Sequence, residues 1–184
     1  MTSTYKEFTI EVTNDDRYTT GSADNYPSYH YQYLSDIESW FSAKHGIRVA
    51  KDETEIASAI ICETYGGSTT IHKRSYVLKD DAIFICCGAK IYSLQLPTLQ
   101  LNWNKELDTA TCFGIYEFEN DFLIHGEMEI SRLSADGVIK WKFSARDIFV
   151  SINGKKEFEI IGDKIKLIDF EDYEYTLNAD GEVI

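Results

Sequence analysis

The sequence predicts a mostly β protein: twisted antiparallel sheets in two to three repeated units, preceded by one N-terminal α-helix. Three observations carry this. Gly88 and Trp103 recur as Gly126 and Trp141, each 38 residues further on, and Ile83-Phe84-Ile85-Cys86 recurs as Phe122-Leu123-Ile124. Leu133-Ser134-Ala135-Asp136-Gly137 returns as Leu177-Asn178-Ala179-Asp180-Gly181, and matched units of this length signal stacked β-meanders. Aromatics make up 14% of the 184 residues, with 12 Tyr and 10 Phe, which favours sheet surfaces over helix bundles.

Residues 1–184 are long enough for one domain with a real core. It divides into an N-terminal part, 1–64, and a β-repeat region, 65–184. Between Tyr5 and Thr13, Phe8, Ile10 and Val12 alternate with Thr9, Glu11 and Thr13, the period of a half-buried strand. Asn14 to Tyr29 is polar and loop-like. Ser35-Asp36-Ile37-Glu38 is a capping box that starts a helix running to His45. Ile37, Trp40, Phe41 and Lys44 fall on one side of it, and Gly46 supplies the stop. Thr54 to Cys62 reads as a buried strand closed by Gly66-Gly67, and Thr69 to Leu78 as a further β-rich run. From there short strands alternate with turn signals at Asp80-Asp81, Pro97-Thr98, Asn120-Asp121, Ala135-Asp136-Gly137, Asn153-Gly154, Gly162-Asp163 and Asp180-Gly181.

The Trp-bearing strands Leu101-Asn102-Trp103 and Val138-Ile139-Lys140-Trp141-Lys142-Phe143 each end a unit, and over residues 77–184 the units resemble blades of quinoprotein-type or WD-type β-propellers. Two to three blade-like units are too few for a ring, which takes at least about four. The resemblance therefore implies an open assembly whose exposed end is covered by the N-terminal strand and helix, or by a partner.

The N-terminus shows no secretory pattern and no apolar run approaches a membrane span, so a cytoplasmic location is the expectation. Cys62, Cys86, Cys87 and Cys112 sit in or beside apolar runs and form no C-x-x-C. They read as small buried hydrophobes. The net charge is −13. Glu106 to Ile130 holds Glu106, Asp108, Glu117, Glu119, Asp121, Glu127 and Glu129 with no Lys or Arg, and Glu157 to Glu182 sums to −7. On period-two strands Glu117 and Glu119 share one face, as do Glu127 and Glu129, giving an apolar inner face and an acidic outer one. Such a face either keeps the protein soluble or complements a basic partner. Nucleic acid is disfavoured, because phosphate binding needs a basic footprint.

His30, His45, His72 and His125 show no metal-ligand spacing, and no metal or cofactor is expected. His125 with Glu127, or His72 with Cys112, are the pairs that acid-base or thiol chemistry would use. No P-loop, G-x-S-x-G or G-x-G-x-x-G exists, and no enzymatic activity is expected. Tyrosines crowd Tyr26 to Tyr33 and recur at Tyr173 and Tyr175 beside acids. Because tyrosine is over-used in recognition surfaces, the expected partner-binding residues are Asp24, Tyr26, Tyr29, Glu117, Glu119, Glu127, Glu129, Asp172 and Tyr173.

In overall character, small, acidic and aromatic-rich, the chain resembles bacterial immunity proteins, and that resemblance implies a non-enzymatic module that covers a basic, nuclease-type toxin. The alternatives are a small-ligand-binding or hydrolytic β-domain with a pocket near Cys86, His125 and Arg146, and a scaffold subunit that shares its sheet edge with another chain.

Overall fold

The computed structural model describes residues 1–26, 28–36, 40–151 and 153–184. Among the described residues it is built of strands alone, in four sheets. The first sheet has five strands in the order β1-β2-β4-β5-β3, where β1 is Thr2–Tyr5, β2 Phe8–Asn14, β3 Tyr31–Leu34, β4 Ala43–Lys51 and β5 Thr54–Glu63. Only β3 runs parallel to its neighbour, β5. The run expected from Tyr5 to Thr13 is thus β2, preceded by a tight turn at Lys6 and the short strand β1.

The helix expected from Ser35 to His45 is not found among the described residues. Ile37 and Glu38 of the capping box, with the following Ser39, lie outside the described residues, while Ala43, Lys44 and His45 open β4, which is paired on both sides. Ala43, His45, Ile47 and Val49 alternate inward along that strand, so period-two burial between two ladders overrides the local helix signals. Gly46, read as a helix stop, sits mid-strand because the Tyr29 hydroxyl lies where its Cβ would be.

The remaining sheets are consecutive antiparallel meanders. The second holds β6 (Tyr76–Lys79), β7 (Ala82–Cys87), β8 (Lys90–Gln95) and β9 (Leu101–Glu106). The third holds β10 (Cys112–Phe118), β11 (Asp121–Gly126), β12 (Ile130–Leu133) and β13 (Ile139–Phe143). The fourth holds β14 (Phe158–Ile161), β15 (Lys164–Ile168) and β16 (Glu174–Leu177). The β-rich run expected from Thr69 contributes only its end to β6. Before it, the Ser75 hydroxyl accepts from the His72 amide and donates to the Thr70 carbonyl, local bonds that compete with a ladder.

Three apolar seams join the sheets in a row. Ile10, Ile47, Val49 and Ile61 of the first sheet meet Ile83, Ile85 and Leu94 of the second. Phe84, Cys86 and Ile91 of the second meet Ile115, Phe122, Ile124 and Leu133 of the third. Phe118, Leu123 and Ile130 of the third meet Phe158, Ile165, Leu167 and Leu177 of the fourth. This explains the unbroken apolar run of β7: its odd residues face one seam and its even residues the next.

The row's two ends are closed differently. Tyr18, Tyr29, Leu34 and Phe41 cover Ile60 and Cys62 on the far side of the first sheet, while Lys164, Lys166 and Glu174 leave the fourth sheet's outer side polar and exposed. The N-terminal region therefore covers one end of the repeat as a sheet in its own right, where a strand and helix were expected.

Trp103 and Trp141 occupy equivalent places, in the last strand of the second and third sheets. Each indole reaches the next unit. Trp103 Nε1 donates to the Ala135 carbonyl at 3.1 Å and Trp141 Nε1 to Ala179 at 2.9 Å. The rings lie against Gly137 and Gly181, whose φ angles of 85° and 80° and missing Cβ admit them. The two sequence repeats, Trp and Ala-Asp-Gly, are thus the two halves of one joint.

Candidate functional site

The first strands of the last three sheets, β6, β10 and β14, converge on an open groove of about 430 Å³. Its floor is the ring pair Tyr116 and Phe158, centroids 4.5 Å apart, flanked by Val77 and Ile160. Arg74, Glu117, Lys156 and Glu159 form the rim. The Ile115 amide bonds the Arg74 carbonyl at 2.8 Å, and Gly114 permits that approach, since a Cβ there would sit 3.1 Å from Arg74 Cβ.

The rim charges are unequally engaged. The Arg74 guanidinium lies 4.7 Å from the centre of the Tyr116 ring, and Lys156 Nζ is 2.5 Å from Glu159 Oε1. Among the described residues the Glu117 carboxylate has no hydrogen bond or ion pair. Burial raises the Tyr116 hydroxyl above its ordinary pKa, leaving it a neutral donor at the floor.

The expected site residues fall in separate places. Glu117 is in the groove. Glu119 lies in the β10–β11 turn and pairs with Arg132 at 2.5 Å. Glu127 and Glu129, expected on a strand, lie in the β11–β12 turn at the other end of β11. There the Asp108 carboxylate accepts from the Met128 and Glu129 amides, both at 2.9 Å, and so ends the strand at Gly126. Glu129 also pairs with Lys142 at 2.5 Å. Asp24 and Tyr26, the latter 91% exposed, edge a surface depression with Asp15 and Arg17. Tyr29 is packed inward: its hydroxyl donates to Asp15 Oδ2 at 2.8 Å and Arg48 covers its ring. Asp172 pairs with Lys155 at 2.8 Å, and Tyr173 lies under Arg146 at 4.0 Å.

A few of the acids, Glu63, Asp108, Asp121 and Asp169, are internal. Asp121 is buried and takes Arg132 Nε at 2.6 Å and Lys140 Nζ at 2.7 Å; burial pushes its pKa up, but these two donors hold it below the ordinary carboxylate value. Asp169 is buried and accepts from the Tyr175 hydroxyl at 2.8 Å.

The pocket expected from Cys86, His125 and Arg146 does not assemble. Cys86 lines a cavity of about 110 Å³ with His72, Ser75, Thr111 and Cys112. His125 is buried against Phe113 and Phe158, its Nε2 3.3 Å from the Phe149 carbonyl oxygen. Arg146 is on the surface over Tyr173. His72 and Cys112 do line one cavity, but the Cys112 thiol donates to the Ala89 carbonyl at 3.3 Å and burial pushes its pKa well up. A thiol held protonated in this way is a poor nucleophile. All four cysteines are buried and unpaired. Among the described residues no group of three His, Cys, Asp or Glu could hold a metal ion, and no helix is long and apolar enough to cross a membrane.

His45 gives the fold a pH dependence. It is buried with Nε2 2.8 Å from Thr69 Oγ1, and desolvation lowers its pKa to about 4. The unfolded chain, with an ordinary value near 6.5, binds the proton first. Its contribution is therefore fully present above about pH 6.5 and is lost as pH falls toward 4. Urea midpoints across that window should fall more steeply for the natural protein than for His45→Gln; equal slopes would remove His45 from the account.

No protein-family model matches the chain, and no curated protein matches it in sequence. The β-propeller domain of Myceliophteria thermophila Cps50 (Swd1) superposes with a TM-score of 0.50 at 7% identity, over 77% of this chain and 56% of that one. The fold is propeller-like. The AfRom2 CNH domain, with a TM-score of 0.48 at 12% identity, is covered over 47% of its length by 78% of this chain. The chain thus spans about half the length of the solved structures it matches.

In that geometry β6, β10 and β14 are the inner strands and the Trp-bearing β9 and β13 the outer ones. Sequence reasoning found Glu117 but missed Arg74, Tyr116, Lys156, Phe158 and Glu159. They fall in three stretches far apart in the chain and share only the property of belonging to the first strand of a meander, or to the segment leading into it.

Proposed function

We propose that this chain is a non-enzymatic protein-binding module whose partner enters the groove between β6, β10 and β14. The observation that supports it most is the groove itself: an aromatic floor on three cross-braced strands, rimmed by charges of both signs, with one carboxylate unengaged. A rigid aromatic floor with a polar rim is the usual anatomy of a recognition surface. The absence of enzymatic activity is part of the proposal, supported by the protonated, buried thiols and by the inward-bound His45 and His125. The finer reading, a basic toxin held by an immunity protein, is supported by the net charge of −13 alone.

Co-purification from the native host would supply the partner. Tyr116→Ala should then weaken the complex by roughly tenfold or more, as truncation of a central aromatic anchor does, while leaving the circular dichroism spectrum unchanged. A partner held equally well by this variant would refute the groove as the site.

A further inference from the structure

We propose that the groove takes an extended segment of a partner protein that presents a basic side chain to Glu117 and an apolar one to the Tyr116–Phe158 floor. This rests on the binding-module reading above and adds the chemistry of the occupant. The argument turns on which rim charge is left open. Arg74 is already seated on the face of Tyr116, and Lys156 is already bonded to Glu159. Glu117 is exposed, on the middle one of the three first strands, and carries the only wholly unengaged charge among the described rim residues. The complement of that open carboxylate is a cation, while the Arg74 charge, which has no carboxylate partner among the described residues, stays against the Tyr116 ring.

The long-range field agrees with the local count. A chain of net charge −13 attracts basic segments and repels acidic ones. Shape narrows the occupant further. The groove is open to solvent and holds about 430 Å³, which suits two or three side chains of an extended segment and is far smaller than a folded domain. Tyr116 and Phe158 offer apolar area beside the carboxylate, so an alternation of basic and apolar residues uses both features at once.

The test uses a defined probe, a fluorescein-labelled hexapeptide of alternating leucine and lysine, followed by fluorescence anisotropy. A glutamate-for-lysine version and a glycine-serine version serve as comparisons. The basic peptide should bind and the other two should not. Glu117→Lys should weaken it roughly tenfold, and Glu117→Gln by an intermediate factor. Glu106→Lys, which makes the same charge change on the outer strand β9, should leave binding within about twofold, since a remote exposed charge contributes little in physiological salt.

Equal losses for Glu117→Lys and Glu106→Lys would show attraction by net charge alone and overturn the proposal. So would tighter binding of the acidic peptide, or no binding of any peptide. In those cases an undiminished effect of Tyr116→Ala on the native partner would leave the binding-module reading standing; loss of both would remove it too.

Discussion

Glu63→Ala is expected to destabilise the fold by about 3–5 kcal/mol, the range for removing one partner of a buried charge pair. Glu63 ends β5 and is wholly buried. Its Oε1 accepts Lys90 Nζ at 2.9 Å and the Tyr92 hydroxyl, both from β8, so one oxygen joins the first sheet to the second. Lys90 keeps only 19% of its side chain exposed. Without the carboxylate, that ammonium and a buried hydroxyl would each lack an acceptor. The cost comes from stranding them, since a well-made buried pair adds little beyond an apolar replacement of similar size. The double variant Glu63→Leu with Lys90→Met should therefore recover most of what Glu63→Ala loses. Urea denaturation at fixed m-value reads both effects. A loss under about 1 kcal/mol for Glu63→Ala would mean that Lys90 and Tyr92 find water instead.

Trp141→Ala should cost about 2–3 kcal/mol, somewhat below the range for a fully buried tryptophan because this indole is half-buried. Two contributions are lost together. One is the hydrogen bond from Nε1 to the Ala179 carbonyl, and the other is the contact of the ring with Gly181, where a Cβ would come within 2.6 Å of the indole. Trp141→Phe, which keeps most of the ring and no donor, should cost about 1 kcal/mol. Native-state hydrogen exchange gives the more specific check. Because the joint ties the third sheet to the fourth, amides of β14 to β16 should lose protection well before those of β2, β4 and β5. Uniform loss across all four sheets would show that Trp141 supports the whole fold and is no local hinge between units.

The repeat was legible in the chain because its causes are local. Gly137 and Gly181 are held at φ angles that glycine adopts readily, Trp103 follows Gly88 by the same interval as Trp141 follows Gly126, and period-two alternation marks β2 without ambiguity. Strand boundaries were legible wherever the turn chemistry was local too. Asp80-Asp81, both left-handed, form the two-residue loop between β6 and β7. The helix expectation shows where this stops. Ser35, Trp40, Phe41 and Gly46 satisfy helix rules one by one, yet β4 gains ladders on both edges and an inward row of Ala43, His45, Ile47 and Val49.

By itself, then, the sequence determined the β-meander repeat, its turns, the buried cysteines and the net charge, all properties of neighbouring residues or of composition. Only the tertiary structure decided what the charges face. Asp121 turns inward to Arg132 and Lys140, Glu63 to Lys90, Asp108 to two backbone amides, and Glu129 to Lys142, whereas Glu117 is left open beside Tyr116. Counting acids along a chain cannot separate these cases, because the energy of a carboxylate depends on burial and on the donors within a few ångströms. Those donors arrive from strands whose positions are set only when the sheets pack.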